Sequence, residues 1–286
     1  PITDSEGRVI GVLAGSPNDP SWQSVNSEAS ALLKKAQTQM HFTSKMEKHL
    51  RGDYPALSVG VSFGGGQKCP GNLVNLNQNA MALATLLKDQ TFIRIAGFAS
   101  AAFKIWAPCL YDYYVDHLRP LYEKYPQLQR NFDNSVFPCA TFNFGPAACT
   151  VKHRDVQNLP FGWCAITALG DFDPKLGGHF VLWDMKLVIE FPPGATILIP
   201  SAIVQHSNVV IQSGETRYSV TQYAAGGLFR WVDQGFQSMS AYLIGLTDSE
   251  QVDEKRKAEE RWKDGIGLFS HWLSYQQNVN SCSNFV

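Results

Sequence analysis

The chain has 286 residues, of which 44% are hydrophobic, and carries 24 Lys plus Arg against 25 Asp plus Glu for a formal net charge of −1. Its 17 Phe, 10 Tyr and 7 Trp exclude a disordered chain, and the length supplies a core that needs neither metal nor disulfide to hold together. The balanced charge excludes binding to nucleic acid through a global positive field, while leaving room for a local basic surface.

Val9 to Ala14 reads as a short strand, followed by the turn-rich stretch GSPNDPSW. From about Asn26 a helix is predicted, with Ala29, Leu32, Leu33 and Ala36 on one side. Gly52 and Pro55 punctuate the chain before the strand candidate LSVGVSF, and the glycine-rich loop GGGQKCPGN comes next. Leu73, Leu76, Ala80, Leu83, Ala84 and Leu87 then recur at helical spacing. Residues 97–127 carry an aromatic and leucine stripe (Phe98, Phe103, Trp106, Leu110, Tyr114, Leu118, Leu121), which predicts one or two helices broken near Pro108 and again near Pro120. Residues 1–134 are thus expected to form a mixed helical and strand part that packs on something larger.

From Ser135 the texture changes to short β-branched and aromatic runs separated by Gly, Pro, Asn and Asp. FPCATFNF, CTVKHRD, WCAITAL, HFVLWD, KLVIEF, ATILIP, HSNVVI and TRYSVTQY are the strand candidates. No gap between them holds a crossover helix, so a parallel sheet is excluded and an antiparallel sandwich or barrel predicted. The expected architecture is a mostly β core over 135–236 with flanking helices, closed by a helical segment over 237–286. The whole chain reads as a single catalytic domain. Within the last segment, residues 248–264 mix both signs of charge, as a solvated helix does. The six cysteines (Cys69, Cys109, Cys139, Cys149, Cys164, Cys282) show no CxxC spacing and read as mostly buried small apolar residues of an intracellular protein. No run approaches the length of a membrane span, and no membrane partner is expected.

The segment VKHRDVQN carries the chemistry. On a strand, side chains two apart point the same way, so His153 and Asp155 would project together as two thirds of a facial triad for non-haem iron(II). The third ligand must come from elsewhere. His41, His49 and His117 lie in helical surroundings, His179 abuts the Gly177–Gly178 turn, and His271 is near the end. His206 opens a strand 51 residues after Asp155, room enough for the intervening strands to bring it back beside the pair. Across the QSGE turn, Arg217 and Ser219 share a strand face, as do Thr221 and Tyr223. An arginine there suits a bidentate grip on the far carboxylate of a 2-oxo diacid, with the hydroxyl as a further donor. Each feature alone is common; two imidazoles, a carboxylate and a guanidinium aimed into a barrel without a ligand would be costly by desolvation.

In these residues the chain resembles the iron(II)- and 2-oxoglutarate-dependent dioxygenases, a double-stranded β-helix (jelly roll, cupin-like) family, over roughly residues 135–235. The narrower likeness is to the TET/JBP branch, which oxidises the methyl group of 5-methylpyrimidines in DNA. HRDVQN looks like that branch's HRD–x–x–N segment, and RYSVTQY like its closing strand. FGPAACT, FGWCAITALGDFDPKLGG and YAAGGLFRWVDQGF are similar to its transposon-linked fungal members. The resemblance implies Fe(II) on His153, Asp155 and His206, 2-oxoglutarate on Arg217 and Ser219, O2 as co-substrate and ascorbate as a stimulant. It implies that Asn158 contacts the target base, that Tyr223 lines the base pocket, and that Gln157 stands where animal members carry His. Methylated DNA is then the partner and the nucleus the location. The cysteine-rich zinc region of animal members has no counterpart here, so a DNA grip would fall to Lys68, Lys152, Arg154 or the 255–263 run. Trp163 reads as a stacking surface for the base or as core. Two other readings share the same residues: hydroxylation of a small molecule or protein side chain, and a non-catalytic barrel. No motif speaks to the oligomeric state.

Overall fold

The structure is a computed structural model, and it describes residues 1–275. The first part of the chain runs β1 (Ile2–Thr3), β2 (Val9–Gly15), α1 (Trp22–Gln39), α2 (Ser44–Glu47), β3 (Lys48–His49), β4 (Gly52–Asp53), β5 (Ala56–Ser62), β6 (Gly71–Asn72), α3 (Asn77–Lys88), α4 (Gln90–Trp106) and α5 (Pro108–Lys124). The second runs β7 (Cys139–Asn143), β8 (Cys164–Asp171), β9 (Phe180–Leu182), β10 (Leu187–Ile189), β11 (Thr196–Ile199), β12 (His206–Asn208), β13 (Thr216–Tyr223), α6 (Gly226–Asp233), α7 (Met239–Ile244) and α8 (Asp248–Gly267).

All strand pairs are antiparallel. A major sheet of eight strands has the order β1-β2-β11-β8-β13-β7-β5-β6, a minor sheet the order β10-β9-β12, and β3 with β4 makes a separate hairpin. The first half of the chain therefore does more than pack on the barrel: β1, β2, β5 and β6 lengthen its major sheet.

The period of two decides what each face of that sheet does. Leu169 of β8 and Tyr218 and Val220 of β13 point outward and pack with Trp22, Val25, Ala29 and Leu33 of α1 and Phe92, Ile95 and Ala96 of α4. Cys164, Ile166 and Ala168 of β8 and Ile197 and Ile199 of β11 point inward, against Phe180 and Leu182 of the minor sheet and Phe191. By the same alternation Arg217, Ser219, Thr221 and Tyr223 face the space between the sheets. A third cluster joins α4, α5 and α6, with Phe103 stacked on Trp163 at 5.5 Å.

Several boundaries differ from the sequence expectation. Helix α1 starts at Trp22, before Asn26, because the Trp22 indole N–H donates to the carbonyl of Gly194 (2.9 Å) and ties the first turn to the sheet. Leu73 and Leu76 precede α3. Pro108 opens α5, as the missing N–H of a first-turn proline allows, but Pro120 does not break it. Pro120 sits close to the helix end, and Asp116, the residue whose carbonyl it leaves free, lies on the solvent side. CTVKHRD forms no ladder strand; only His153 pairs, as an isolated bridge to His206. Cys139 and Cys164 are buried and Cys149 half-buried, but Cys69 and Cys109 are on the surface, so burial holds for only part of the set. Cys282 and the end of the C-terminal segment lie outside the described residues. Helix α8 is solvated, with only Gly265 buried.

Candidate metal centre

Two backbone pairings bring the triad together. His153 and His206 exchange reciprocal N–H···O bonds, both 3.0 Å, so the HxD segment is stitched to the minor sheet at β12. Asp155 is pinned by its own N–H to the carbonyl of Ser201 (2.9 Å). One ligand atom from each of His153, Asp155 and His206 then lies within 4.8 Å of the others. The carboxylate oxygens of Asp155 are 3.7 Å from His153 Nε2 and 3.9 Å from His206 Nε2.

Hydrogen bonds set the tautomers. His153 Nδ1 meets the carbonyl of Val151 at 2.7 Å and His206 Nδ1 that of Val204 at 2.9 Å. A carbonyl only accepts, so each Nδ1 carries the proton and each Nε2 offers a lone pair inward. Burial, helped by the neighbouring His153, pulls His206 down to about 4, which keeps it neutral near pH 7. Burial alone would raise the Asp155 carboxyl, but the Arg51 guanidinium and the two imidazoles hold it below its ordinary value. Two imidazoles and one carboxylate, nearly buried, are the donor set of a non-haem iron(II) site.

Arg51 was not foreseen. From the two-residue turn of the β3–β4 hairpin, its Nε and Nη2 both donate to Asp155 Oδ1, at 2.8 and 2.6 Å. Its carbonyl accepts from Val151 N (2.8 Å), so the hairpin is bound to the metal segment at two points. Nothing near Arg51 in sequence signals this, since the contact spans 104 residues.

Opposite the triad, Arg217 is only 1% exposed. Its Nη1 donates to the carbonyl of Ala148 (2.5 Å), while Nε and Nη2 have no partner. Nearby, Asn208 Nδ2 is unpartnered as well, and Cys149 Sγ donates to the Asn208 carbonyl (3.3 Å). Ser219 accepts from Asn143 Nδ2 at 2.9 Å and keeps its own hydroxyl proton to give. Burial pulls Arg217 down to about 10, still cationic at neutral pH. A buried cation with two idle donors fits the remote carboxylate of a dicarboxylate, which answers the charge and the geometry together. Tyr54 also stands between the two arginines, its phenol pushed up to about 12 by burial against their charges; sequence reasoning did not find it.

The remaining predicted contacts are dispersed around the mouth. Asn158 is half-buried, its Nδ2 on Ser201 Oγ (3.1 Å), and its backbone bridges Ala225. Tyr223 faces the inter-sheet space and its hydroxyl accepts from Thr141 Oγ1 (3.4 Å). Gln157 is exposed. Trp163 is core, 1% exposed, and offers no face to a base. Lys152 lies 4.5 Å over the Trp183 ring and Arg154 pairs with Asp184, so both cations already have partners at the rim. The 255–263 run pairs largely with its own helix.

No protein-family model matches the sequence, and no curated protein matches it. Among solved structures, NgTET1 in complex with 5mC DNA superposes with a TM-score of 0.52 at 16% identity, over 77% of this chain and 72% of that one. The shared fold is the double-stranded β-helix. A 2OG-Fe(II) oxygenase family oxidoreductase from Burkholderia pseudomallei gives 0.41 at 17% identity, over 78% and 88% of the two chains. A Pseudomonas putida prolyl-4-hydroxylase gives 0.34 at 13%, over 74% and 90%. In the double-stranded β-helix of this chain the minor sheet carries His206, with His153 bridged to it, and the major sheet carries Arg217, so the two halves of the site face each other.

Proposed function

We propose that this chain is an Fe(II)- and 2-oxoglutarate-dependent dioxygenase that oxidises the methyl group of a 5-methylpyrimidine, 5-methylcytosine, in DNA. The observation that carries the oxygenase reading is Arg217: a buried guanidinium with two idle donors, facing the His-Asp-His triad across the sheets. When bound there, iron with 2-oxoglutarate and O2 supplies C–H hydroxylation with release of succinate and CO2. His153, Asp155 and His206 hold the metal, and Arg51 fixes the carboxylate. Arg217 and Ser219 orient the co-substrate, while Phe180, stacked on His206 at 5.6 Å, keeps that wall dry.

The substrate assignment rests on the HRDVQN segment and on Asn158, whose side-chain oxygen has no partner among the described residues and can accept from a base edge. A base in a duplex must leave the stack to reach this depth. Tyr223, on the Arg217 face of β13, would line its pocket. The neighbour in complex with 5mC DNA adds support through fold alone. The transposon-linked fungal branch and a nuclear location belong to the same proposal. The balanced charge and the already partnered Lys152 and Arg154 favour the second reading, a small molecule or protein side chain.

Incubation with Fe(II), ascorbate and 2-oxoglutarate separates the two. Mass analysis of a methylated oligonucleotide is expected to show gain of oxygen, and succinate release is expected to rise with methylated over unmethylated DNA. Equal succinate release with both, and an unchanged oligonucleotide mass, overturns the nucleobase reading.

A further inference from the structure

The glycine loop after β5 and the helix after β13 enclose a cavity of about 420 Å³ that plays no part in holding metal or co-substrate. Lys68, Arg230, Gln67, Gln234 and Ser238 line it over an aromatic floor of Phe63, and no carboxylate is among its lining residues. Phe63 is held edge-on by Trp231 at 5.0 Å.

The cations here are unspent. Among the described residues Arg8, Arg51, Arg94, Arg119, Arg154, Arg256 and Arg261 each hold a carboxylate. Arg130 covers the Tyr122 ring and Arg217 approaches Phe172. Among the described residues Arg230 has neither kind of partner, and Lys68 has no carboxylate either. Gly64, Gly65 and Gly66 take positive φ values of 154°, 57° and 90°, and the turn they make delivers Gln67 and Lys68 to the cavity wall.

The cavity adjoins the metal mouth. Gly226 N donates to the carbonyl of Gln157 (2.9 Å), and Asn158 bridges Ala225. On the other side of that turn, a Cβ on Gly227 would collide with the carbonyl of Phe63. The first turn of α6 is therefore wedged between the base-contacting segment and the cavity wall, and one helix width, about 10 Å, separates them.

We propose that this cavity binds a backbone phosphate of the nucleic-acid strand whose base enters the metal centre, with Lys68 and Arg230 as its cationic donors. This rests on the nucleobase reading above and gives that site a grip that the net charge of −1 does not advertise. An arginine fork and a lysine suit a phosphodiester oxygen pair, and Phe63 offers an apolar wall to the attached sugar.

Fluorescence anisotropy of a labelled methylated oligonucleotide, titrated at several salt concentrations with metal-free protein, tests it without turnover. Lys68→Ala and Arg230→Ala are each expected to weaken binding several-fold and to lower the slope of log affinity against log salt by about 1. Lys35→Ala on the exposed side of α1 is expected to change neither. Salt slopes that match wild type in both pocket variants overturn the proposal. Loss of inorganic-phosphate binding in those variants (by ³¹P line width) with unchanged DNA slopes also overturns it, in favour of a small phosphate ligand. Reduced slopes in variants of a protein that fails to oxidise the bound oligonucleotide support the phosphate site while removing the 5-methylcytosine reading. Oxidation by a protein whose variants keep the wild-type slope does the reverse.

Discussion

Arg217 shows how a single residue can oppose stability and serve binding. Its guanidinium loses water on burial and recovers only one hydrogen bond, to Ala148. Replacing buried ion pairs with apolar chains of like volume is often neutral or stabilising, by about 1–4 kcal/mol, and a buried charge without a counter-ion has less still to lose. Arg217→Met is thus expected to raise the melting temperature of the metal-free protein while abolishing saturable 2-oxoglutarate binding in calorimetry; a lower melting temperature with binding intact would refute this. Arg51 acts through Asp155 instead. Arg51→Gln is expected to weaken Fe(II) affinity roughly 10- to 100-fold, the usual effect of removing a partner that orients a metal ligand. Anaerobic metal titration checks it, and unchanged affinity would reduce Arg51 to a surface ion pair. The two arginines differ in legibility for a physical reason. Arg217 stands in a β-branched, aromatic run where a charge is out of place, so its chemistry shows. Arg51 stands in a turn beside glycine and aspartate, where a charge is ordinary, and only the chain's return 104 residues later gives it a partner.

Among the elements, α5 and α6 are joined by a clasp that responds to pH. His117 Nε2 lies 3.0 Å from Asp233 Oδ1, and its Nδ1 meets the carbonyl of Tyr113 at 2.8 Å. Burial alone would lower His117, but the bond and charge of Asp233 outweigh it and the imidazole is raised above 6.5. A raised folded value means that the stabilisation is complete below the unfolded value and fades as pH rises through the folded one. Asp233→Asn is therefore expected to lower the melting temperature at about pH 5.5 and to matter little near pH 8.5; an equal loss at both would remove the clasp. Seven of the eight strand candidates after Ser135 form strands, because alternating β-branched and aromatic residues between turn signals leave few other solutions. CTVKHRD fails because Lys152, Arg154 and Val151 remain exposed and its backbone makes one bridge instead of a ladder. Its ligands nonetheless converge, since the bridge at His153 and the Ser201 bond at Asp155 do what a full strand would have done.

For the molecule as a whole, ligands that bind only the folded state must stabilise it, by about 2.7 kcal/mol at a hundredfold excess over the dissociation constant. Mn(II) and 2-oxoglutarate together are expected to raise the melting temperature more than metal alone, and a chelator to reverse both gains. Arg217→Met is expected to keep the metal increment and lose the co-substrate increment. A 2-oxoglutarate increment that survives in that variant would place the dicarboxylate elsewhere. The antiparallel core was legible from turn spacing, but its size was not. β1, β2, β5 and β6 are short or helix-flanked pieces whose membership in the major sheet depends on pairing partners far along the chain. The reciprocal bonds between His153 and His206 have a last consequence. Because the protein's own main chain clamps these two residues face to face, the cradle for the ion is cast during folding and does not wait for the ion to arrive. If the site holds iron, stripping it is expected to leave these main-chain bonds in place, unlike small zinc modules that collapse when emptied.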